Sequence, residues 1–471
     1  MATHTASLTI AKAQKTTIGF VNLGCSKNQV DAEVMLGTLA TNGFALTSDP
    51  ARAEVVIINT CGFIEEAKQE SIDAIIEYGG LKKSGACQVL IAAGCLSQRY
   101  QGELLKALPE LDGVVGTGEI GRIAEICRSL LTPGRRSQSS GRGLLMAPPP
   151  YLYDELTPRL RLGKAHSAYV KIAEGCNRNC AFCAIPIMRG KQRSRSIESI
   201  VAEARRLAAE GVKELNLISQ DTINYGVDLG LRHGLVALLR ELVTVNGLRW
   251  IRPFYLYPQQ VSEELIDLYA GEEKITKYVD MPLQHINDAV LKRMHRLGTA
   301  ASITTLVDKL RARIPGLTFR TAFIVGFPGE TKAAFTELKR FVTEMTFDRV
   351  GVFLYSDEES TPAVGLDRKI DRRVMEERRT ELLVIQEAIS LKKSRQQIGR
   401  TLEVLVEGVS EETDLLLEAR HEGQAPEIDG VVYLNDWEMG TDLKSVPGTF
   451  VKATITDASA YDLVGHIKEP A

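Results

Sequence analysis

Short apolar runs alternate with helical patterns along most of this sequence, and that alternation restricts the fold more than any other feature. Between residues 18 and 131 the runs are IGFVNLGC, VVIINTCGF and VLIAAGC, and helical stretches such as EEAKQESIDAIIEYG follow them. Strands that alternate with helices predict parallel pairing, because each strand must return across the sheet through a helix. Residues 18–131 are therefore predicted to form a doubly wound parallel sheet domain.

Six further apolar runs lie between residues 164 and 360, again separated by helical patterns. They are AYVKIAEGC, ELNLISQD, WIRPFYLYP, YVDMPLQH, FRTAFIVGF and RVGVFLYS. Six strand–helix units predict a partial (β/α)6 barrel, a fold that places its chemistry at the carboxyl ends of its strands. Together with a charged helical segment at 365–399, they predict a central domain over residues 164–399.

The remaining segments are shorter and differ in composition. Residues 400–469 contain TLEVLVEG, LLLEARHE, GVVYLND and TFVKATITDA between Gly and Pro turns, which predicts a small all-β barrel. Residues 132–163 open with TPGRRSQSSGRGLLMAPPP and are predicted to be a linker. Residues 1–17 are polar, lack the apolar core of a secretory signal and are predicted to be a disordered leader. The fold class is thus α/β with three domains.

Charge and hydropathy restrict the location and the partners of the chain. No stretch approaches 18 uninterrupted apolar residues, so no membrane span is predicted and the chain is expected to be cytoplasmic. From Arg400 onward there are 15 acidic and 5 basic residues, a net charge of −10, whereas the whole chain carries only −3. In a reducing compartment its eight cysteines are expected to bind metal or act in catalysis rather than form disulfides.

Three cysteines lie within eight positions of the segment EGCNRNCAFCAIP, and no cysteine follows them: Cys176, Cys180 and Cys183. A zinc ribbon requires a second pair 15–20 residues later. Three thiolates can hold three corners of a cubane iron–sulfur cluster, leaving the fourth iron open to a ligand. A three-cysteine zinc site completed by a distant histidine is the alternative.

Three more cysteines each follow an apolar run of the first domain: Cys25, Cys61 and Cys95. Because the carboxyl ends of parallel strands share one edge of a sheet, these thiols are expected to meet there. A glycine beside each cysteine leaves room for a bulky group, which predicts a second cluster. The alternative is that they are small buried hydrophobes, the interpretation given to Cys87 and Cys127.

The segment CNRNCAFC has the CxxxCxxC spacing of the radical S-adenosylmethionine (SAM) enzymes. The sequence blocks NLGCSKNQVDAE, NTCGFIEEAKQESI, CNRNCAFCAIPIMRG, MPLQHINDAVLKRM and FIVGFPGET resemble those of the methylthiotransferase family, and the resemblance extends from residue 18 to 468. It implies two 4Fe-4S clusters, SAM as cofactor and a TRAM-like terminal domain. The cluster of Cys176, Cys180 and Cys183 would generate the radical, and that of Cys25, Cys61 and Cys95 would handle the incoming sulfur.

Two branches of that family differ in substrate. GCSKNQVDAE and PLQH resemble the branch that adds a methylthio group to the β-carbon of an aspartate in the twelfth small-subunit ribosomal protein. The acidic terminal domain agrees, since a surface of that sign attracts a basic protein and repels nucleic acid. The alternatives are a tRNA adenosine methylthiotransferase and a non-catalytic Fe–S or zinc scaffold. An electron donor such as a flavodoxin-type reductase is also expected.

Other polar and aromatic residues are candidates for contacts with SAM, while no catalytic residue is assigned. The candidates are Phe182 beside the last cysteine, Gln220 at the end of the second barrel run, and Gln284 and His285 at the end of the fourth. Polar residues at strand ends are often helix caps instead. Arg189 is a candidate partner for an acidic substrate side chain. Asn22, Asn28 and Asn59 are expected to hydrogen-bond the sulfurs of the first cluster.

Overall fold

The computed structural model describes residues 15–132, 143–145, 151–435 and 447–470. The chain divides into two compact units. The first holds the amino-terminal sheet, and the second holds both the central and the terminal predicted domains. Within the second unit, the terminal module packs on the central domain. None of the described helices is both long and apolar enough to cross a bilayer.

The first unit contains a six-stranded, entirely parallel sheet in the order β2-β1-β3-β4-β5-β6. Every residue of β3 and β4 is buried, which explains their continuous apolar sequences. The predicted parallel sheet is confirmed. The strands are β1 Thr17–Asn22, β2 Ala45–Thr47, β3 Val55–Thr60, β4 Val89–Gly94, β5 Gly113–Val115 and β6 Gly143–Leu145; the helices are α1 Ser26–Thr41, α2 Glu65–Gly79, α3 Leu81–Ser84, α4 Cys95–Ala107 and α5 Ile123–Leu131.

The predicted linker does more than connect two domains. Its residues 143–145 form β6, the edge strand of the first sheet. Tyr153 is buried, and its hydroxyl accepts a hydrogen bond from the backbone N–H of Lys171 (3.0 Å). Residues 133–142 and 146–150 of the linker, and residues 1–14 of the leader, lie outside the described residues.

The second unit begins with six parallel strands in two three-stranded sheets, β11-β10-β7 and β12-β13-β14. A parallel bridge between Ile251 and Ile275 joins them, so the predicted order of six strand–helix units is confirmed. The strands are β7 Ser167–Lys171, β8 Ala173–Glu174, β9 Arg193–Ser194, β10 Glu214–Ile218, β11 Trp250–Pro253, β12 Tyr278–Asp280, β13 Thr318–Val325 and β14 Arg349–Leu354; the helices are α6 Ile185–Arg189, α7 Ile197–Ala209, α8 Gly234–Leu242, α9 Glu263–Gly271, α10 Asp288–Arg293, α11 Ala300–Arg313, α12 Lys332–Met345 and α13 Arg372–Arg395.

The terminal module is a closed five-stranded barrel in the order β15-β16-β17-β19-β18. Four of its strands match the predicted runs, and the fifth lies in the polar sequence LVGHIKEP, which gives no strong strand signal. Its strands are β15 Thr401–Val409, β16 Leu417–His421, β17 Val432–Leu434, β18 Phe450–Ala458 and β19 Leu463–Pro470.

The terminal module covers the amino ends of the six central strands. It contacts a residue at or just before the start of every one of them. The pairs are His166 with Glu407 before β7, Glu214 with Arg420 at β10, Trp250 with Phe450 at β11, Tyr278 with Asp429 at β12, Thr318 with Gly423 at β13 and Arg349 with Asp429 at β14. The carboxyl ends of the strands, where barrel enzymes place their chemistry, lie at the opposite end.

A buried ion network holds this interface. Glu214 is fully buried and receives Arg420 from the terminal module (2.6 Å) and Arg252 from β11 (3.0 Å). Burial alone would raise the pKa of Glu214, but the two guanidinium groups outweigh it and hold that pKa at about 2. Glu407 accepts from the same Arg420 (2.7 Å).

Part of the negative charge of the terminal module is therefore used within the chain. Among the described residues, carboxylates at four positions of the module pair with Arg or Lys side chains, and two of these positions pair with the central domain. The positions are Glu403 and Asp429, which pair with the central domain, and Glu407 and Glu469, which pair within the module. Only the remaining carboxylates are available to attract a basic partner.

Arg420→Ala is expected to destabilise the second unit, because it leaves two carboxylates buried without a shared cation. Breaking a buried ion pair costs about 3–5 kcal/mol. Arg249→Ala removes the exposed pair with Glu403 at the same interface and should cost less than about 1 kcal/mol. Urea unfolding of both variants measures the difference. Equal midpoints for the two would contradict the role given to Arg420.

Candidate metal centres

The first group of three cysteines lies at the carboxyl edge of the amino-terminal sheet. Cys61 directly follows β3 and Cys95 directly follows β4. The sheet register pairs Thr60 with Gly94, so these two cysteines leave neighbouring strands at the same level. Cys25 follows β1, the neighbour of β3 on the other side, by three residues. Parallel pairing thus places the three positions at adjacent strand ends, as predicted.

Glycines at this edge leave no room for a side chain of their own. Gly24 has a φ of +92°, and a Cβ there would lie 3.0 Å from Cys61 Cβ and 3.4 Å from its Sγ. Gly94 has a φ of +94°, and a Cβ would lie 2.6 Å from Asn59 Oδ1. The residue before Cys25 therefore packs directly on Cys61, and only glycine permits that approach.

Two asparagines fix the ends of these strands. The Asn28 side-chain amide donates to the carbonyls of Leu23 and Thr60 (both 3.0 Å), and its Oδ1 lies 3.6 Å from Cys95 Sγ. Asn59 donates to Asn22 Oδ1 and to the Asn28 carbonyl, both at 2.8 Å. Both side-chain amides donate to protein oxygens, so the asparagines position the backbone beside the cysteines.

The exposure of the three thiols is graded. Cys25 is exposed, Cys61 is half-buried and Cys95 is buried, so a group held by all three would have one face in the sheet edge and one accessible. The two other cysteines of this unit lie elsewhere. Cys87 precedes β4 at the opposite edge, and Cys127 is fully buried on α5, where burial raises its pKa to about 12. Both fit the predicted packing role.

The second group of three lies in the loop between β8 and α6 and consists of Cys176, Cys180 and Cys183. Gly175, with a φ of +83°, starts the loop; a Cβ there would lie 2.3 Å from the carbonyl oxygen of Lys191. The N–H of Cys176 donates to the Gly190 carbonyl (3.1 Å), and that of Cys183 donates to the carbonyl of Cys180 (3.2 Å). These bonds fold the loop so that its cysteines are neighbours.

Burial raises the pKa of two of these thiols, so Cys176 and Cys183 are protonated at neutral pH. Burial, reinforced by Asp221 and Cys180, raises the pKa of Cys176 to about 11. Burial, reinforced by the other two cysteines, raises the pKa of Cys183 to about 12. Metal binding needs thiolates and would therefore release protons here. Arg296, whose Nη1 lies 3.7 Å from Cys180 Sγ, supplies positive charge beside them.

Each group of three cysteines fits one corner-sharing cluster, because a cubane takes one thiolate at each of three corners. Proximity within each group, an accessible face and the glycine approach at the first group all fit a 4Fe-4S cluster. The ligand role of each cysteine remains a prediction.

A buried polar cluster lies close to the second group. Glu174 accepts from Lys171 (2.5 Å), Arg189 (3.0 Å) and Gln220 (2.8 Å). Burial would raise the pKa of Glu174, but Arg189 and Lys171 outweigh it and hold the pKa well below its usual range. Arg189, a candidate for contact with the substrate, is 1% exposed and committed to this carboxylate. Gln220 Oε1 is buried with no partner among the described residues and so remains open to a ligand.

The other predicted SAM contacts are placed differently. Gln284 and His285 lie beyond the end of β12, and Gln284 instead bridges to Phe323 of β13. His285 is fully buried, with Nδ1 accepting from the Asn287 N–H (3.0 Å) and Nε2 facing Glu330. These contacts favour a structural role, in which the His285 ring holds the Asn287 backbone beside Glu330. Phe182 is half-buried against Phe327 with its ring at 82°, and its contact with SAM remains a prediction.

A cavity of about 780 Å³ opens beside the cysteine loop. Arg178, Lys292 and Arg296 line it, together with the single carboxylate of Asp288. The guanidinium carbons of Arg178 and Arg296 each lie 3.9 Å from the ring centre of Tyr257. The cavity is therefore basic, and one of its arginines also reaches Cys180.

Sequence reasoning missed several of these residues. Arg296 and Tyr257 are far from the cysteine loop in sequence, and no local motif marks them. Lys171 and Glu174 did carry a signal, because charged residues inside the apolar run AYVKIAEGC require buried partners.

Comparison with known proteins places each part of the chain. Residues 17–116 match the uncharacterized protein family UPF0004, residues 170–342 the radical SAM superfamily and residues 398–467 the TRAM domain. A protein from Pelobacter propionicus named ribosomal protein uS12 methylthiotransferase RimO is 49% identical, covering 97% of this chain and 99% of its own. One of the same name from Geobacter sulfurreducens is 47% identical, and the match covers 96% of this chain and 99% of that protein.

Among solved structures, the radical SAM methyltransferase TsrM from Kitasatospora setae has a similar fold, with a TM-score of 0.54 and 16% identity. The match covers 74% of this chain and 75% of that one.

The six-stranded central fold, the CxxxCxxC loop and the superfamily match define a radical SAM enzyme. Its 47–49% identity to the two named relatives, over nearly the full length of each, then identifies the family within that superfamily. The chain belongs to the RimO family of ribosomal protein uS12 methylthiotransferases. The family predicted from the sequence is confirmed, and the non-catalytic scaffold alternative is set aside.

Gly24→Ala is expected to reduce the iron bound by the first unit, because the new methyl group must displace Cys61 or Asn28. Gly43→Ala is the matched control: its φ of +89° is almost the same, but nothing lies within 4 Å of its Cβ. Both variants carry similar backbone strain of about 1–2 kcal/mol. Iron and sulfide quantitation after anaerobic reconstitution compares them. Full iron content in Gly24→Ala would contradict the proposed packing.

Proposed function

We propose that this enzyme adds a methylthio group to the β-carbon of an aspartate in ribosomal protein uS12. The observation that carries the proposal is the presence of two three-cysteine groups, one in each compact unit, on a chain nearly half identical to named uS12 methylthiotransferases. A single radical-forming centre would require only one such group.

The two 4Fe-4S clusters and SAM, when bound, supply the radical and the methylthio group. The residues of this chain hold and orient them. Cys176, Cys180 and Cys183 bind the radical-forming cluster, and Arg296 balances its negative charge. Cys25, Cys61 and Cys95 bind the cluster that handles sulfur at the accessible sheet edge. Gln220, with its buried free oxygen beside Glu174, is the best-placed of the predicted SAM contacts.

A protein substrate fits the charge distribution better than tRNA does. The carboxylates of the terminal module that are not paired internally, such as Glu411 and Glu412, repel phosphates and attract a basic ribosomal protein. The named relatives act on uS12, which agrees. A cytoplasmic location follows from that substrate, since the ribosome is where the enzyme must meet it.

The triple variant Cys25→Ala/Cys61→Ala/Cys95→Ala should lose about half of the iron and all methylthio transfer, while SAM cleavage persists. The control Cys87→Ala/Cys127→Ala removes two buried thiols that lie outside both groups. It should keep full iron content. Iron quantitation, 5′-deoxyadenosine release and the mass of uS12 after reaction are measured together.

The mass readout also separates the two candidate substrates. Wild-type enzyme should add the methylthio mass to an aspartate-containing peptide of uS12 and leave tRNA unchanged. Modification of tRNA alone would overturn the substrate proposal while leaving the cluster assignment intact. Unaltered iron in the triple variant would overturn the assignment of the first cluster.

We further infer that an acidic one-electron carrier of the flavodoxin type docks at the basic cavity beside the cysteine loop. The cavity carries Arg178, Lys292 and Arg296 around one carboxylate, and Arg296 reaches the sulfur of Cys180. Lys292 is exposed and forms no ion pair among the described residues, so its charge is available to a partner. Complementary charge mainly raises the rate of encounter.

Lys292→Glu should lower the rate of SAM cleavage driven by reduced flavodoxin about tenfold at low salt. The rate driven by dithionite, a small reductant that needs no docking surface, should be unchanged. Lys106→Glu is the matched control, since Lys106 is also an exposed lysine in the last turn of a helix, in the other unit. Equal flavodoxin-driven rates for the two variants would contradict docking at this cavity.

A further inference from the structure

A second groove, of about 670 Å³, lies on the first unit between α2 and the carboxyl end of β1. Its floor is apolar and partly exposed, formed by Val21 of β1 and Leu23 just after it, with Ala74 and Tyr78 of α2. Neither the cluster assignment nor the substrate proposal uses this surface.

One wall of the groove is a stripe of negative charge. Four exposed acidic residues of α2 line it at helical spacing, and no Lys, Arg or His does: Glu66, Glu70, Asp73 and Glu77. Spacings of three and four residues place them on one face of the helix, where like charges repel. In the described part of the chain, Glu70, Asp73 and Glu77 have no ion-pair partner.

The stripe opposes the stability of its own helix. Glu77 lies in the last turn of α2, where the helix dipole disfavours negative charge and no basic residue compensates it. Within the stripe, the Gln69 side chain donates a hydrogen bond to Asp73 (2.7 Å). An arrangement that weakens the helix and contributes nothing to the fold is explained by a positively charged partner.

The length of the stripe determines what kind of partner fits. From Glu66 to Glu77 it extends about 16 Å along the helix axis, too far to surround one cation. A nucleic acid is excluded by charge. An apolar floor with an acidic wall suits a segment of basic protein with apolar side chains on one face.

One end of the groove adjoins the first cysteine group. Leu23 of the floor lies two residues before Cys25, and Glu66 of the wall lies five residues after Cys61. A segment held in the groove would therefore extend from the far end of α2 to the sheet edge that carries the exposed thiol of Cys25.

From this geometry we propose that the groove between α2 and β1 is a docking surface for a basic segment of the substrate protein. The proposal rests on the proposed function for the identity of that protein, uS12. It assigns substrate attraction to α2 of the first unit, in addition to the acidic terminal module.

The test measures binding of purified uS12 to the reconstituted full-length enzyme at low and high salt. Glu70→Lys/Glu77→Lys should weaken binding about tenfold at low salt, with a smaller difference at high salt. The variant is expected to fold, since a lysine in the last turn of α2 interacts favourably with the helix dipole. Unchanged SAM cleavage and melting temperature verify that the variant is intact.

Two controls make the result specific. Glu103→Lys reverses an exposed, unpaired charge on α4 of the same unit and should bind within twofold of wild type. Glu411→Lys/Glu412→Lys reports the contribution of the terminal module. Wild-type affinity in Glu70→Lys/Glu77→Lys, or an equal loss in Glu103→Lys, would overturn the proposal. So would a wild-type dimer that the double variant converts to monomer, because a second copy of the chain would then occupy the groove.

The proposed function can fail independently of the groove. If wild-type enzyme neither binds nor modifies uS12, the substrate is wrong. If it does both and the double variant does both equally well, only the groove is wrong.

Discussion

Parallel strand pairing is the constraint on which the rest of this protein depends. Cys61 and Cys95 are 34 residues apart in sequence, yet the pairing of Thr60 with Gly94 makes them neighbours at one sheet edge. The same register fixes the position of Gly24 against Cys61. In the second unit, parallel pairing brings Gln220, after β10, to Glu174, which follows β7. Each candidate centre thus exists because strands from distant parts of the chain end together.

Charge in the interior is handled by sharing carboxylates between cations. Glu174 receives two cations beside the cysteine loop, and Glu214 receives two at the amino end of the strands. At both sites the positive groups outweigh the cost of burying the carboxylate, so the acid stays ionised. At Glu174, the oxygen of Gln220 stays open to a ligand beside the cysteine loop. At Glu214, the shared carboxylate joins the central domain to the terminal module. The same arrangement of charges therefore serves the candidate site in one place and the fold in the other.

Local patterns predicted the elements whose signals are local. The stretch EEAKQESIDAIIEYG is α2 from its first residue to its last, and the six central runs all contain strands. The three-residue strands β2, β5 and β6 of the first unit were missed, because so short a segment becomes a strand only through its neighbour. Gln284 and His285 lie beyond β12, which ends at Asp280, while a parallel bridge to Phe323 of β13 still holds Gln284 beside the sheet. The cysteine positions were predictable since strand ends and glycines mark them, whereas Arg296 and Tyr257 approach from distant helices and loops.

The terminal module closes the amino end of the central strands through contacts at all six of them. In the part of the chain that the structure describes, this contact blocks an approach along the strands from their amino ends. Access to the cysteine loop therefore depends on the loops at the carboxyl ends, and their motion can set the pace at which a cofactor or product is exchanged.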